Sequence, residues 1–438
     1  MSTLDRLHRL GPIQLTPGVT PWQAATLLFG AFFSIGLMTF ITVGQTYILN
    51  EHLGIPAEVQ GTLSGDLVFW TEVITLVLFV PAGILVDRVG RRLIFAVGFL
   101  LLALTYVLYP MAGSVEDLYL YRILYALGVV TVATALATVM ADYPDESSRG
   151  KLVAIVGVLS GLGIVVINQF FGGLPKRLTA DGMDGIQAGY VTHYIVACIA
   201  VVVAVLVWLG LQKGTPIHHE KHPSVRDLFV SGFAQARNPR ILLAYLAAFI
   251  ARGDQAVNAT FLILWGNLAA QTSGLDSAAA IKNGTLIFVL AQIAALVWSP
   301  IMGPFMDRVD RVTGLALAMA LAAVGNLAVI WMVDPTPGSA WFFCVLLGIG
   351  QISVYLASQS LVGQEAPLTQ RGSVMGAFNV AGAIGILLIT AIGGRLFDGV
   401  APYAPFVLVG AINVVLLVLC VAVRLSGPAK RAVVRSRW

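Results

Sequence analysis

Long apolar runs alternate along this chain with short polar stretches, and the runs are of membrane length. Twelve can be marked, at 22–49, 63–86, 93–113, 118–141, 151–172, 190–212, 241–265, 284–306, 312–333, 340–364, 372–394 and 404–424. Most lie near the roughly 20 residues that an α-helix needs to cross hydrocarbon. The faintest division, at 86–93, is made by charges and not by a drop in length. The longest polar interior segment, 213–240, divides the runs six and six. The pattern predicts an all-α membrane protein: an N-terminal six-helix half over 1–212, a linker over 213–240 and a C-terminal six-helix half over 241–438.

Composition removes the soluble alternative. Of 438 residues, 58% are hydrophobic and 11% charged, against the roughly one quarter charged that covers a soluble surface. The first 21 residues are polar and broken by Gly11, Pro12, Pro17 and Pro21, so no cleavable signal is expected and the first helix serves as the insertion signal. Basic residues set the orientation. With the N-terminus inside, cytoplasmic segments hold 20 Lys and Arg, external loops 4 and the spans 2. Both termini are therefore expected in the cytoplasm, in a multi-pass protein of a bacterial inner membrane. The net charge of +4 follows from this bias and gives no reason to expect a nucleic-acid partner. Lys430, Arg431, Arg435 and Arg437 would meet lipid head groups. Cys198, Cys344 and Cys420 all fall inside apolar runs and read as small core residues.

Two landmarks are duplicated. Gly83-Ile-Leu-Val-Asp87-Arg88-Val-Gly-Arg91-Arg92 reappears in the second half as Gly303-Pro-Phe-Met-Asp307-Arg308-Val-Asp-Arg311. Arg149-Gly150 and Arg371-Gly372, each after an acidic, Pro-containing turn, are separated by almost the same interval. Two landmarks at one offset mark a parallel duplication.

The first of these loops resembles the helix 2–3 signature of the major facilitator superfamily. That resemblance implies a twelve-helix secondary transporter in which Gly83, Asp87, Arg88, Arg91, Arg92, Asp307, Arg308 and Arg311 form a cytoplasmic gate. On that reading Gly83 allows a close helix approach. Asp87 sits at the N-terminus of the eleventh helix, near Gly372 or Ser373, where a carboxylate is favoured. The arginines reach Asp142, Glu146 or lipid phosphates, and Asp307 lies near Gly150. A weaker match, Arg122-Ile-Leu-Tyr-Ala-Leu-Gly128, resembles the family's helix 4 motif with Ala126 in place of a Gly; Arg122 either faces inward or snorkels to the external interface. The proline-kinked motif of drug–proton antiporters in helix 5 is missing, with Leu162 where its Pro would stand.

Polarity also sorts the helices. The third, sixth, ninth and twelfth runs are nearly bare of strongly polar groups, apart from Asn326 and Asn413, and are expected at the periphery. The others hold the cavity candidates Gln45, Arg122, Arg252, Asn258, Gln292, Gln351, Tyr355 and Asn379. Asp254 lies 13 residues beyond Ile241, about 20 Å at helical rise. Asp254 and Asn258 share a face, and Arg252 and Gln255 share another. Glu72 is 15 residues from Asp87, about 22 Å up its helix, whereas Asp66 is expected near the external boundary and solvated. Asp254, Glu72 and Asp66 are the candidates for binding and releasing a proton; the alternative is an ion pair with Arg252 or Arg122.

No nucleotide loop or nucleophile–base pair is present, and the histidines read as peripheral. His218, His219 and His222 on the linker read as solvent-exposed and not as a metal site. No enzyme, cofactor or metal is expected. The sequence points to a secondary transporter of a small organic solute, working by alternating access as a monomer, proton-coupled and by preference a symporter. The two arginines favour an anionic or zwitterionic cargo. The alternatives are a proton-coupled exporter of amphipathic compounds, which Trp70, Trp265, Trp298 and Phe378 would suit, and a non-transporting receptor or scaffold of this fold.

Overall fold

A computed structural model describes residues 9–214, 225–367 and 370–426, and these are overwhelmingly helical. The membrane-length helices are α1 Pro21–Tyr47, α2 Ala57–Val89, α3 Arg91–Leu108, α4 Val115–Asp142, α5 Arg149–Gly172 and α6 Gly185–Gly210. They continue with α7 Pro239–Val257, α8 Ser277–Arg308, α9 Arg311–Ala328, α10 Pro337–Glu365, α11 Arg371–Gly399 and α12 Ala404–Ser426. Among the described residues eleven helices are long and apolar enough to cross a membrane. The twelfth, α7, carries Arg252 and Asp254, and runs through a π turn at Asn258–Leu262 into a last helical piece, Ile263–Thr272. His218, His219 and His222 lie outside the described residues.

Local chemistry explains where the helices start. Thr20 and Gln23 form a reciprocal capping box ahead of α1, with Pro21 at its first position; Ser114 and Asp117 do the same for α4. Asp184, Asn238 and Asp310 accept backbone N–H groups at the starts of α6, α7 and α9. These caps satisfy donors that have no partner within the helix. α2 is longer than its apolar run because its polar ends, Ala57–Thr62 and Asp87–Val89, stay helical. Intrahelical hydrogen bonds do not stop where hydrocarbon stops.

The chain forms two compact units. The first comprises 1–56, 70–222 and 270–285, and the second 57–69, 223–269 and 286–438. The start of α2 thus packs with the second unit and the start of α8 with the first. In the first unit, α1 and α5 cross so closely that a methyl group at Gly163 would land on the carbonyl oxygen of Phe32. A Cβ on Gly36 would lie 2.6 Å from the carbonyl oxygen of Gly163. In the second unit, α7 and α11 repeat the crossing: a methyl at Gly385 would land on the carbonyl oxygen of Phe249, and a Cβ on Gly253 would lie 2.8 Å from Ile389. Gly163 and Gly385 are separated by the same interval as the Arg-Gly landmarks. The duplication therefore extends into backbone packing.

Within its own unit Gly83 makes no close backbone approach: among the described residues a Cβ there would meet Thr134, at 3.9 Å, and at Gly303 it would meet none within 4 Å.

Candidate functional site

In the first unit, Gln45 near the end of α1, Tyr109 in the 3-10 turn after α3, and Arg122 on α4 converge. Arg122 Nε donates to Tyr109 Oη at 3.2 Å and its Nη2 donates to Gln45 Oε1. The Tyr109 hydroxyl also donates to Gln45 Oε1, at 3.1 Å. The guanidinium lies 5.8 Å and 5.2 Å from the ring centres of Tyr109 and Tyr125, within cation–π range. Arg122 is only 2% exposed, so it does not snorkel, and among the described residues it has no carboxylate partner. Half-buried Glu72 lies within electrostatic reach of Tyr125.

In the second unit, Asp254 is 1% exposed and surrounded by amides. Asn258 Nδ2 donates to Asp254 Oδ1 at 3.0 Å and to Gln351 Oε1 on α10 at 2.9 Å. Asn326, on α9, directs Nδ2 at both Asp254 oxygens from 3.4 Å, long and weak contacts, and at Ala322 O from 3.1 Å. The side-chain oxygens of Asn258 and Asn326 have no donor. Among the described residues of its unit Asp254 forms no ion pair, so the pairing with Arg252 is not made. Arg252 is half-buried and packs its Cγ over Gly382. Asn326, an anomaly in an otherwise apolar helix, ties α9 to α7. Asn258 opens the π turn, a local widening frequent at functional sites.

The inner motif loop forms a chain of charges within the first unit. Arg91 Nε binds Asp142 Oδ2 at 2.8 Å, both side chains being about 5% exposed, and its Nη2 lies 3.5 Å from Asp87. Arg92 stacks on Trp208 at 4.4 Å, while Glu146 pairs with Arg149 at 2.7 Å. Burial pushes the neighbouring Tyr143 phenol up to about 12, and its oxygen accepts from Gln212 N at 3.0 Å. The second copy is wired differently. Asp310, where the first copy has Gly90, caps α9 and faces Arg240 and Arg424 at 3.9 Å and 3.8 Å. Arg311 donates to Met306 O, and Arg308 is exposed. The side chain of Asp307 lies outside the described residues.

Asp66, expected near the external boundary and solvated, is one-quarter exposed and bound at 2.8 Å to Arg395, itself 58% exposed, in the second unit. Beside it Asp398 accepts from the N–H groups of Gly61 and Thr62 at 2.9 Å and 2.6 Å. Gln292 and Tyr355 are half-buried and Asn379 is exposed; none joins the two amide-lined clusters. His193 corrects the reading of α6 as bare and of the histidines as peripheral: it is 1% exposed, with Nδ1 against Gly189 O at 2.8 Å. Sequence reasoning also missed Tyr109, Tyr125, Arg395 and Asp398. For the tyrosines the available signal was their clustering around one intramembrane arginine.

Comparison with known proteins agrees with this architecture. The profile of the Major Facilitator Superfamily matches residues 27–390. The chain is 28% identical over 390 residues to magnetosome protein MamH of Paramagnetospirillum magneticum, covering 86% of this chain and 87% of that one. It is 25% identical over 406 residues to magnetosome protein MamZ of the same organism, covering 89% of this chain but 61% of that longer one. The fold superposes on a variant of the nucleoside transporter NupG with a TM-score of 0.72 at 13% identity, covering 91% of this chain and 99% of the other. With the match spanning most of its length, the chain belongs to the Major Facilitator Superfamily.

Proposed function

We propose that the chain is a proton-coupled secondary transporter, moving a small organic solute by alternating access, with Asp254 as proton carrier. The observation that carries this reading is a buried carboxyl whose two described hydrogen-bond partners are amides, each with an oxygen that has no donor among the described residues. Ionised, Asp254 accepts from Asn258 and Asn326. Protonated, it can donate its own O–H to the oxygen of either amide once that amide turns over to present it. Both states find hydrogen-bond partners without a countercharge, which suits a group loaded and unloaded once per cycle. Arg122 supports an anionic or zwitterionic solute: it is a buried cation whose described hydrogen-bond and ring partners are the neutral Gln45, Tyr109 and Tyr125. The absent helix 5 proline favours symport over drug–proton antiport.

The membrane is proposed to be the bacterial inner membrane, with both termini cytoplasmic. Purified protein in liposomes, offered the small-molecule pool of a cell extract under pH gradients of both signs, tests the reading. Symport predicts an anionic or zwitterionic compound accumulating on the alkaline side. Accumulation of amphipathic compounds on the acidic side would favour the exporter, and no pH-dependent movement would overturn coupling. A cysteine at Asp181 or Asp276 should be labelled from outside, and a reporter after Trp438 should report cytoplasm.

A further inference from the structure

Residues 9–20, ahead of α1, form a strap. Arg9–Leu10 and Ile13–Gln14 pair as an antiparallel hairpin whose turn uses Gly11 at φ +56°, a conformation that glycine adopts freely. Ile13, Leu15 and Val19 are buried. The strap then runs along the turn between α4 and α5 as an added strand does. Asp145 N donates to Gln14 O at 3.0 Å, Gln14 N to Ser148 Oγ at 3.0 Å, and Thr16 N to Tyr143 O at 2.9 Å. Leu15 forms a β-bridge with Pro144. Thr16 Oγ1 donates to Asp142 O at 3.0 Å, the backbone of the residue whose carboxylate takes Arg91. From the end of α6, Gln212 Nε2 donates to Gly18 O at 3.2 Å.

In the second unit a helix takes the corresponding place in the chain. Val225–Ala234 and the turn Gln235–Arg237 precede α7. Gly232 sits against the carbonyl of Ser373 at the start of α11, and Tyr245 Oη donates to Gly232 O at 2.8 Å. Gln235 Nε2 donates to Gln370 Oε1 at 2.6 Å, and the carboxylate closing α10, Glu365, takes Arg240 at 3.0 Å. Asp142 and Glu365 are separated by nearly the interval of the duplication. A turn rich in Pro, Asp and Ser is ordinarily mobile, yet a buried ion pair tolerates little misplacement.

We propose that the segment preceding the first helix of each half is a strap that fixes the turn after the fourth helix and so positions its carboxylate, Asp142 for Arg91 and Glu365 for Arg240. Thr16 and Gln235 are positioning residues; neither touches a transported solute.

The test uses the full chain in lipid nanodiscs. Thr16→Val removes the hydroxyl bonded to Asp142 O, and Gln14→Pro removes the donor to Ser148. Hydrogen exchange across 142–148 should quicken by about tenfold or more in both, while the turn at 112–115 stays as in the wild type. Thr16→Ser, which keeps the hydroxyl, should match the wild type. A loosened turn alone is not positioning. The side-chain Nε–H resonance of Arg91, identified by its loss in Arg91→Lys, should therefore move in Thr16→Val and stay in place in Thr16→Ser. Finally, Leu15→Cys with Pro144→Cys, in a background lacking the native cysteines, should form a disulfide, since β-bridge partners lie at about 4.5–5.5 Å. Unchanged exchange at 142–148, an unmoved Arg91 resonance, or failure of the pair to cross-link would each overturn the proposal.

Discussion

Asn258 holds Asp254 by a single 3.0 Å hydrogen bond while its other amide proton reaches Gln351 at 2.9 Å. One side chain thus links a buried carboxyl on α7 to α10. Because all the partners are neutral, replacing the acid by its amide keeps the shape and most of the bonds. Asp254→Asn should therefore abolish uphill accumulation while solute exchange or binding survives in part, with abundance in the membrane near wild type. Glu72→Gln is the comparison and should show the same phenotype if the two acids share one proton. Accumulation against a gradient with an unaltered pH profile in Asp254→Asn would make Asp254 structural.

Arg122 depends on geometry as much as on charge. Its Nε and Nη2 are committed to Tyr109 and Gln45, an arrangement that a lysine ammonium cannot reproduce. Arg122→Lys should lower uptake by about ten- to a hundredfold, the equivalent of about 1.5–3 kcal/mol for a lost charged hydrogen bond. Gln45→Leu strands the buried guanidinium and should cost about 1–3 kcal/mol of stability, read as a lower midpoint in thermal unfolding in detergent. An Arg122→Lys protein that transports normally would take the arginine out of the solute site.

Asp87 and Asp142 flank the same arginine but should fail differently. The Asp142 pair is 2.8 Å long and nearly inaccessible, whereas Asp87 is 3.5 Å away and 44% exposed. Breaking a buried pair costs about 3–5 kcal/mol; an exposed one is worth about 0–1 kcal/mol. Asp142→Asn should deplete folded protein, measured by fluorescence-detected gel filtration of a tagged chain. Asp87→Asn should leave abundance largely intact and reduce flux through the gate role implied by its motif. Equal loss of abundance in both variants would remove the distinction.

The twelve helices were legible because bilayer thickness sets their length, and Asp254 and Asn258 because helical periodicity puts residues four apart on one face. Asn326 was visible as an anomaly, though not its partner. Arg395, the exposed partner of Asp66, was not foreseen because it is far away in the sequence. His193 was misjudged because a lone histidine near a helix start reads as surface, while here it bonds its own backbone and packs beside Phe40 and Tyr106. The strap was opaque: Gly and Pro announce turns, but not what the turns lie against. Close approach was assigned to Gly83 from a motif, when the glycines that make it are set by crossings of helices distant in sequence.

Those crossings give a test with controls inside the same helices. At Gly163 and Gly385 an added methyl meets a carbonyl oxygen of the facing helix, and backbone cannot step aside as a side chain can. At Gly157 on α5 and Gly376 on α11 the methyl meets none of the described residues within 4 Å. Overpacking typically costs about 1–3 kcal/mol, while alanine at an open helical site is favoured over glycine by about 0.5–1 kcal/mol. Gly163→Ala and Gly385→Ala should therefore lower the thermal midpoint by similar amounts, whereas Gly157→Ala and Gly376→Ala leave it unchanged or raise it. If all four behaved alike, the two crossings would be looser than described. If only one of the buried pair were sensitive, the duplicated packing of α1 on α5 and of α7 on α11 would not be equivalent, and the repeat would reach no deeper than the loops that first revealed it.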